Sequence, residues 1–179
     1  MLTLAGCGAG SSAKSQADLS QDALGRGLKA HNANNIDEAT RAYFEALQYD
    51  PKNKFAYFNL GQIAQTQNKS QIAEGYYRSA LEIDPAFASA LFNLAIIRAN
   101  AGSLSEAIDL YRRTIQANPD AAGAYYNLGL LLRQTGATAE ANQMFARAQQ
   151  LDPKLVPPAA SQAPQSPGST ARPSASPTR

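Results

Sequence analysis

Residues 54–87 read KFAYFNLGQIAQTQNKSQIAEGYYRSALEIDPAF, and the order of large, small and turn-forming side chains in that stretch decides the fold. Tyr57, Leu60, Gly61 and Ala64 stand three and four residues apart, the spacing of one helical face. Asn68 comes next, a residue type that tolerates the left-handed conformation in which helices stop. A second stripe then begins, with Ala73, Tyr76, Tyr77, Ala80 and Leu81, and it ends at Asp84-Pro85. Proline cannot continue the hydrogen-bond ladder, and an aspartate before it suits a turn. The stretch therefore predicts two amphipathic helices joined by a tight stop.

Outward from it, the same beats return every 34 residues. Pro51, Pro85, Pro119 and Pro153 are in phase, each preceded by Asp50, Asp84, Asn118 or Asp152. Asn34, Asn68, Gly102 and Gly136 repeat the stop after the first helix. Ala39, Ala73, Ala107 and Ala141 keep step, as do Tyr43, Tyr77, Tyr111 and Phe145. Leu60, Leu94 and Leu128 recur, and so do Gly27, Gly61 and Gly129, with Ala95 replacing glycine once. The small residues allow helices to approach closely, and the aromatic fills the space where pairs pack.

On those residues the chain resembles the tetratricopeptide-repeat family from about Ser20 to Leu155. The family places a large residue ahead of Leu-Gly, then an alanine, an aromatic, another alanine and a proline. Repeat two carries this as Tyr57, Leu60, Gly61, Ala73, Tyr77, Ala80 and Pro85, and repeat four as Tyr125, Leu128, Gly129, Ala141, Phe145, Ala148 and Pro153. Repeat three departs at Ala95, Arg98 and Thr114. Repeat one is weakest, with Ala23 and Arg26 at apolar positions, as suits a cap with no outer neighbour. The resemblance implies an all-α, right-handed superhelical α-solenoid of four helix-turn-helix repeats, about 20–53, 54–87, 88–121 and 122–155.

It also implies a concave wall built from the first helix of each pair, used to hold a peptide or protein partner. The matching positions are Phe55, Phe58, Asn59, Gln62, Gln65 and Thr66 in repeat two. Repeat three supplies Ser89, Phe92, Asn93, Ile96, Ala99 and Asn100, and repeat four Gly123, Tyr126, Asn127, Leu130, Arg133 and Gln134. Asn59, Asn93 and Asn127 form a ladder of amides able to pair with any peptide unit, much as in some peptide-binding members of the family. Phe58, Phe92 and Tyr126 form an aromatic row beside it. The alternative is that both rows follow the family's average sequence and the rings pack inward. Members that grip acidic chaperone tails use Lys and Arg clamps here. This chain has Phe58, Gln62, Phe92 and Ile96 there, with Arg133 the one cation of the set, so no such clamp is expected.

Composition bounds the other functions. The chain has 179 residues, 44% hydrophobic and 17% charged, enough apolar content for a core. A net charge of +2 with no basic stripe gives no reason to expect nucleic acid. No apolar run is long enough to cross a bilayer. One cysteine, Cys7, and one histidine, His31, cannot make an internal disulfide or a zinc site, so no metal or other cofactor is expected. Glu38, Glu82, Glu106 and Glu140 read as solvated surface charges, and no convergent acid, base or nucleophile appears, so catalysis is not expected.

The ends carry two further signals. Leu4-Ala5-Gly6-Cys7 resembles a bacterial lipobox, whose cysteine is acylated. It implies an envelope lipoprotein, anchored by lipid on Cys7 and facing the periplasm or the exterior, with residues 1–19 as signal remnant and tether. Six residues without a basic start are too few for a signal peptide, so the expected start lies upstream of Met1. A free cysteine in a cytoplasmic chain is the alternative. From Val156 to Arg179 the chain is rich in Pro, Ser, Ala and Gln and reads as a disordered or loosely extended tail. No capping helix is evident after Leu151, so the last repeat could also recruit a second copy. The leading reading is an envelope adaptor; the rivals are a self-associating scaffold and a cytoplasmic co-chaperone-like adaptor.

Overall fold

The computed structural model describes residues 14–157. Cys7 and its lipobox, and the tail from residue 158, lie outside the described residues. Within them the chain forms eight α-helices and no strand. They are α1 (Gln16–Asn32), α2 (Ile36–Tyr49), α3 (Lys54–Thr66), α4 (Ser70–Ile83), α5 (Ala88–Asn100), α6 (Leu104–Ala117), α7 (Ala122–Gln134) and α8 (Thr138–Leu151). Substantial helix contacts all run between neighbours in sequence. The array is thus an open all-α solenoid rather than a closed bundle.

The stops work as local chemistry dictates. Asn34 and Asn68 have φ of 59° and 60°, and Gly102 and Gly136 of 78° and 88°. At each, the next amide returns to a carbonyl five residues back, as in Lys69 N to Ala64 O at 2.9 Å and Ser103 N to Arg98 O at 2.9 Å. This closure satisfies carbonyls that the helix end leaves open. At the second stop of each pair, Asp50, Asp84, Asn118 and Asp152 accept a hydrogen bond from the amide two residues on, at 2.9–3.1 Å.

α1 starts earlier than the sequence pattern suggested. Ser15 accepts from the Asp18 amide, and the Asp18 carboxylate accepts from the Ser15 amide. That capping box fixes the helix start at Gln16, inside the stretch read as tether. The Ser15 hydroxyl, donating to the Asp18 carboxylate at 2.7 Å, and the Ser15 amide hold the Asp18 carboxyl below its usual range.

Each repeat packs around its aromatic. The rings of Tyr43, Tyr77 and Phe145 lie where a Cβ on Gly27, Gly61 or Gly129 would stand, 2.4–2.7 Å from the nearest ring carbon. The glycine therefore makes room for the ring of its own repeat. Two apolar clusters result: one from Ala23 to Ile63, the other from Ala64 to Phe145, with Tyr76 touching both.

Between repeats the outer surface is tied by ions. Arg98, one of the departures of repeat three, bridges Glu74 of α4 at 3.1 Å and Glu106 of α6 at 2.7 Å. Arg78 joins the same two carboxylates, each at 3.0 Å. Glu106 is therefore not a lone solvated charge. Burial works against its ionisation, but Arg98 and Arg78 outweigh it and hold its carboxyl below the usual range. Glu140 likewise pairs with Arg112 at 2.8 Å. The pairs Arg78–Glu106 and Arg112–Glu140 occupy equivalent positions one repeat apart. At the first junction those positions hold Phe44 and Ile72, which are 44% and 52% exposed.

Candidate peptide-binding wall

α3, α5 and α7 bring part of the expected set together. Phe58, Gln62, Ser89, Phe92, Asn93 and Gly123 line one depression of about 350 Å³. Its floor includes Thr114 and Asn118 at the end of α6, which sequence reasoning did not assign to the wall. Both positions carry a readable signal. Thr114 stands where the other repeats have Ala46, Ala80 and Ala148, and Asn118 stands among aspartates. Thr114 is 2% exposed and its hydroxyl donates to the Leu110 carbonyl at 2.9 Å. Gly123 leaves the mouth open: a Cβ there would only touch Phe92, at 3.5 Å.

The amide ladder is partly committed within the protein. Asn93 Nδ2 donates to the Tyr77 hydroxyl and Asn127 Nδ2 to the Tyr111 hydroxyl, each at 3.2 Å. Both bonds cross from one repeat to the one before. Asn59 is buried and donates to the Phe55 carbonyl of its own helix at 2.7 Å. Tyr77 also donates to Gln65 Oε1 at 2.7 Å. In repeat one, His31 stands at the position of Gln65 and lies 3.4 Å from the Tyr43 hydroxyl. Burial raises the Tyr43, Tyr77 and Tyr111 phenols to about 12.

The aromatic row faces two ways. Phe58, Phe92 and Tyr126 each pack a ring against the aromatic of the second helix, Tyr77, Tyr111 and Phe145, at centroid distances of 5.7–5.9 Å. All three remain half-buried rather than buried. Phe55 is 49% exposed and meets Phe87 at 5.6 Å, and Phe58 meets Phe87 at 5.2 Å. Lys54 Nζ sits 5.1 Å from the Phe55 ring centre and bonds Asp84 at 2.5 Å. Phe87 was not foreseen as part of this group, because none of its repeat equivalents, Asn53, Ala121 and Leu155, is aromatic. Ile96 and Leu130 are half-buried against the larger core cluster. Arg133 lies 5.3 Å over the Phe145 ring.

Chemically, the wall offers rings, amide oxygens and hydroxyls. The lining of the depression carries no charged side chain. Among the described residues, no group of three His, Cys, Asp or Glu is placed to hold a metal ion. No described helix is long and apolar enough to cross a membrane.

Known proteins place this architecture. A search of curated proteins returned no match. Among solved structures, the Pseudomonas aeruginosa protein pilF is 24% identical with a TM-score of 0.69, covering 78% of this chain and 65% of its own. The protein MamA is 23% identical with a TM-score of 0.67, covering 75% and 79%. A tetratricopeptide-repeat protein from Parabacteroides merdae is 24% identical with a TM-score of 0.66, covering 76% and 55%. At these identities the likeness is one of fold. A tetratricopeptide-repeat sequence profile matches residues 24–86, 60–122 and 101–156, most of the chain. With the in-phase stops and the paired helices, this establishes that the chain belongs to the tetratricopeptide-repeat family.

Proposed function

We propose that the chain is a non-catalytic adaptor that holds an extended segment of a partner protein on the wall formed by α3, α5 and α7. The observation that carries this reading is the uncharged depression lined by Phe58, Gln62, Phe92 and Asn93. An extended peptide advances about 3.3 Å per residue and packed helices stand roughly 8–10 Å apart, so about every third residue meets a new repeat. Rings take apolar side chains and amide oxygens accept from peptide N–H groups. The partner is accordingly an apolar or proline-containing segment rather than an acidic tail.

The adaptor works at the cell envelope, tethered through lipid on Cys7. What supports this is the Leu4-Ala5-Gly6-Cys7 sequence placed shortly before α1. Several acyl chains on one cysteine would give a stable anchor. Mass spectrometry of the N-terminal peptide from the native cell tests it, since an unmodified Cys7 removes the anchor from the proposal. Reading the genomic DNA in frame before Met1 gives a second check.

The binding wall is tested with a photo-crosslinking residue at Gln62 or Ser89, compared with Asp109 and Gln48 on second helices. Crosslinks to another polypeptide from the wall positions alone are expected. Equal yield from all four positions overturns the assignment. Val156, 66% exposed beyond the last helix, favours a second reading in which another copy stacks on α8. Crosslinked products of twice the chain mass from Gln143 on α8, and none from the wall, would favour it.

A further inference from the structure

The depression beside Phe92 has a filled counterpart inside the same chain. Of the residues lining it, Ala88, Ser89, Asn118 and Ala121 stand one repeat after Lys54, Phe55, Asp84 and Phe87. At the earlier position two further rings join the wall. Phe87 lies 5.2 Å from Phe58 and 5.6 Å from Phe55, ring centre to ring centre. Lys54 Nζ stands 5.2 Å from the Phe87 ring centre and bonds Asp84 at 2.5 Å. Phe92 is the equivalent of Phe58, and the two share their contact with the second helix: Phe92 meets Tyr111 at 5.7 Å as Phe58 meets Tyr77 at 5.9 Å. They differ in their other neighbours, because Ser89 and Ala121 bring no ring to Phe92.

The same substitutions take charge out of the lining. Ala88 and Asn118 replace the Lys54–Asp84 pair. Asn118 Oδ1 still accepts from the Asp120 amide at 3.1 Å, so the turn made elsewhere by aspartate survives without the negative charge. Gly123 leaves the mouth open. An enclosed cavity of about 150 Å³ holds a benzene ring. The depression of about 350 Å³ therefore has room for a ring and for the first atoms of the backbone that carries it.

We infer that the depression is the anchor site for one uncharged aromatic side chain of the partner segment, seated against Phe92 as Phe87 is seated against Phe58. A ring in that place gains the edge-to-face contact that Phe58 and Phe87 make at 61°. The neutral lining matches a neutral guest: a carboxylate or an ammonium group would lose its water there and meet no opposite charge. Aromatic anchors seated in pockets carry a large share of the energy of such interfaces. The inference rests on the wall being a polypeptide site and names the side chain that the site selects.

The test titrates the isotope-labelled full chain with p-cresol, the tyrosine side chain without its backbone, and reads amide shifts by NMR. Saturable shifts are expected at Phe92, Asn93, Gly123 and Ala124, and none at Asp109 or Glu140. The aliphatic 4-methylcyclohexanol should bind at least about threefold more weakly, since it lacks the ring contact. The anion p-toluate should bind at least about tenfold more weakly, since its charge finds no partner. Ser89→Phe with Ala121→Phe, which copies repeat two, should fill the site and weaken p-cresol at least about fivefold. Gly123→Leu, which narrows the mouth, should weaken it as well. Either variant that keeps the helical circular dichroism and the original affinity overturns the inference. Shifts spread evenly over the surface overturn it, and so does equal binding of 4-methylcyclohexanol or p-toluate. The cresol titration reads the depression alone and the crosslinks from Gln62 and Ser89 read a polypeptide, so the two assignments fail separately.

Discussion

A hydroxyl buried beside an amide from the next repeat couples neighbours at single-atom scale. Tyr77 has Asn93 from the next repeat and also Gln65 of its own, whereas Asn127 alone is seen to serve Tyr111, because Ala99 stands where Gln65 does. A buried polar group stripped of its partner costs about 1–3 kcal/mol. Asn127→Ala should therefore lower unfolding stability by about 1–2 kcal/mol in urea titration, and Asn93→Ala by less than half as much. Equal losses would show that Gln65 does not support Tyr77. The same phenols set a limit on the alkaline side. Each is raised to about 12 by burial, against about 10 when unfolded. Above pH 10 the unfolded chain releases these protons while the folded chain keeps them. Stability is then whole below pH 10 and falls steadily toward pH 12. Urea midpoints between pH 8 and 11.5 should track that curve, and Tyr111→Phe should flatten it.

At the scale of the helix, the ends differ in quality. Asn35 caps α2 by accepting from the Glu38 amide, but the equivalent Lys69, Ser103 and Ala137 make no side-chain cap bond. A good cap contributes about 1 kcal/mol. Lys69→Asn, at an exposed position, should raise stability by about 0.5–1 kcal/mol, read as a higher thermal midpoint. An unchanged midpoint would mean that α4 is held by packing alone. Helix stops were legible in the sequence because each is a local event: Asn68 needs only a positive φ, and Pro85 only a missing N–H. The wall was legible in part, since Phe58, Gln62, Phe92 and Asn93 do converge. Thr114 and Asn118 stand out in the sequence but, like Phe87, are not assigned to the wall by it, because their place depends on how one pair leans on the next. Nor does periodicity show which hydrogens of Asn59, Asn93 and Asn127 are already in use. Arg98 looked like an error in the pattern, and only the approach of Glu74 and Glu106 accounts for it.

At the scale of the whole molecule, every repeat leans on its sequence neighbours, and among the described helices no substantial contact closes the ring. Stability in such arrays is a sum of repeat and junction terms, and the ends open first. Native-state hydrogen exchange should find the slowest amides in α4 to α6, with α8 faster because no helix packs beyond it among the described residues, where 152–157 follow. Slowest exchange in α8 would instead reveal a cover over the last repeat. The first junction should also respond differently to salt. Phe44 and Ile72 stand where Arg78–Glu106 and Arg112–Glu140 tie the later junctions, and added salt weakens only charged ties.

The cross-repeat bond from Asn93 to Tyr77 has an optical consequence. The chain contains no tryptophan, so its near-ultraviolet emission comes from tyrosine. A guest that donates to the Asn93 side-chain oxygen polarises the same amide whose N–H rests on the Tyr77 phenol, and phenol emission varies with what its hydroxyl touches. Under the proposed reading, occupancy of the wall would be written into the light the protein emits, with no dye needed to read it.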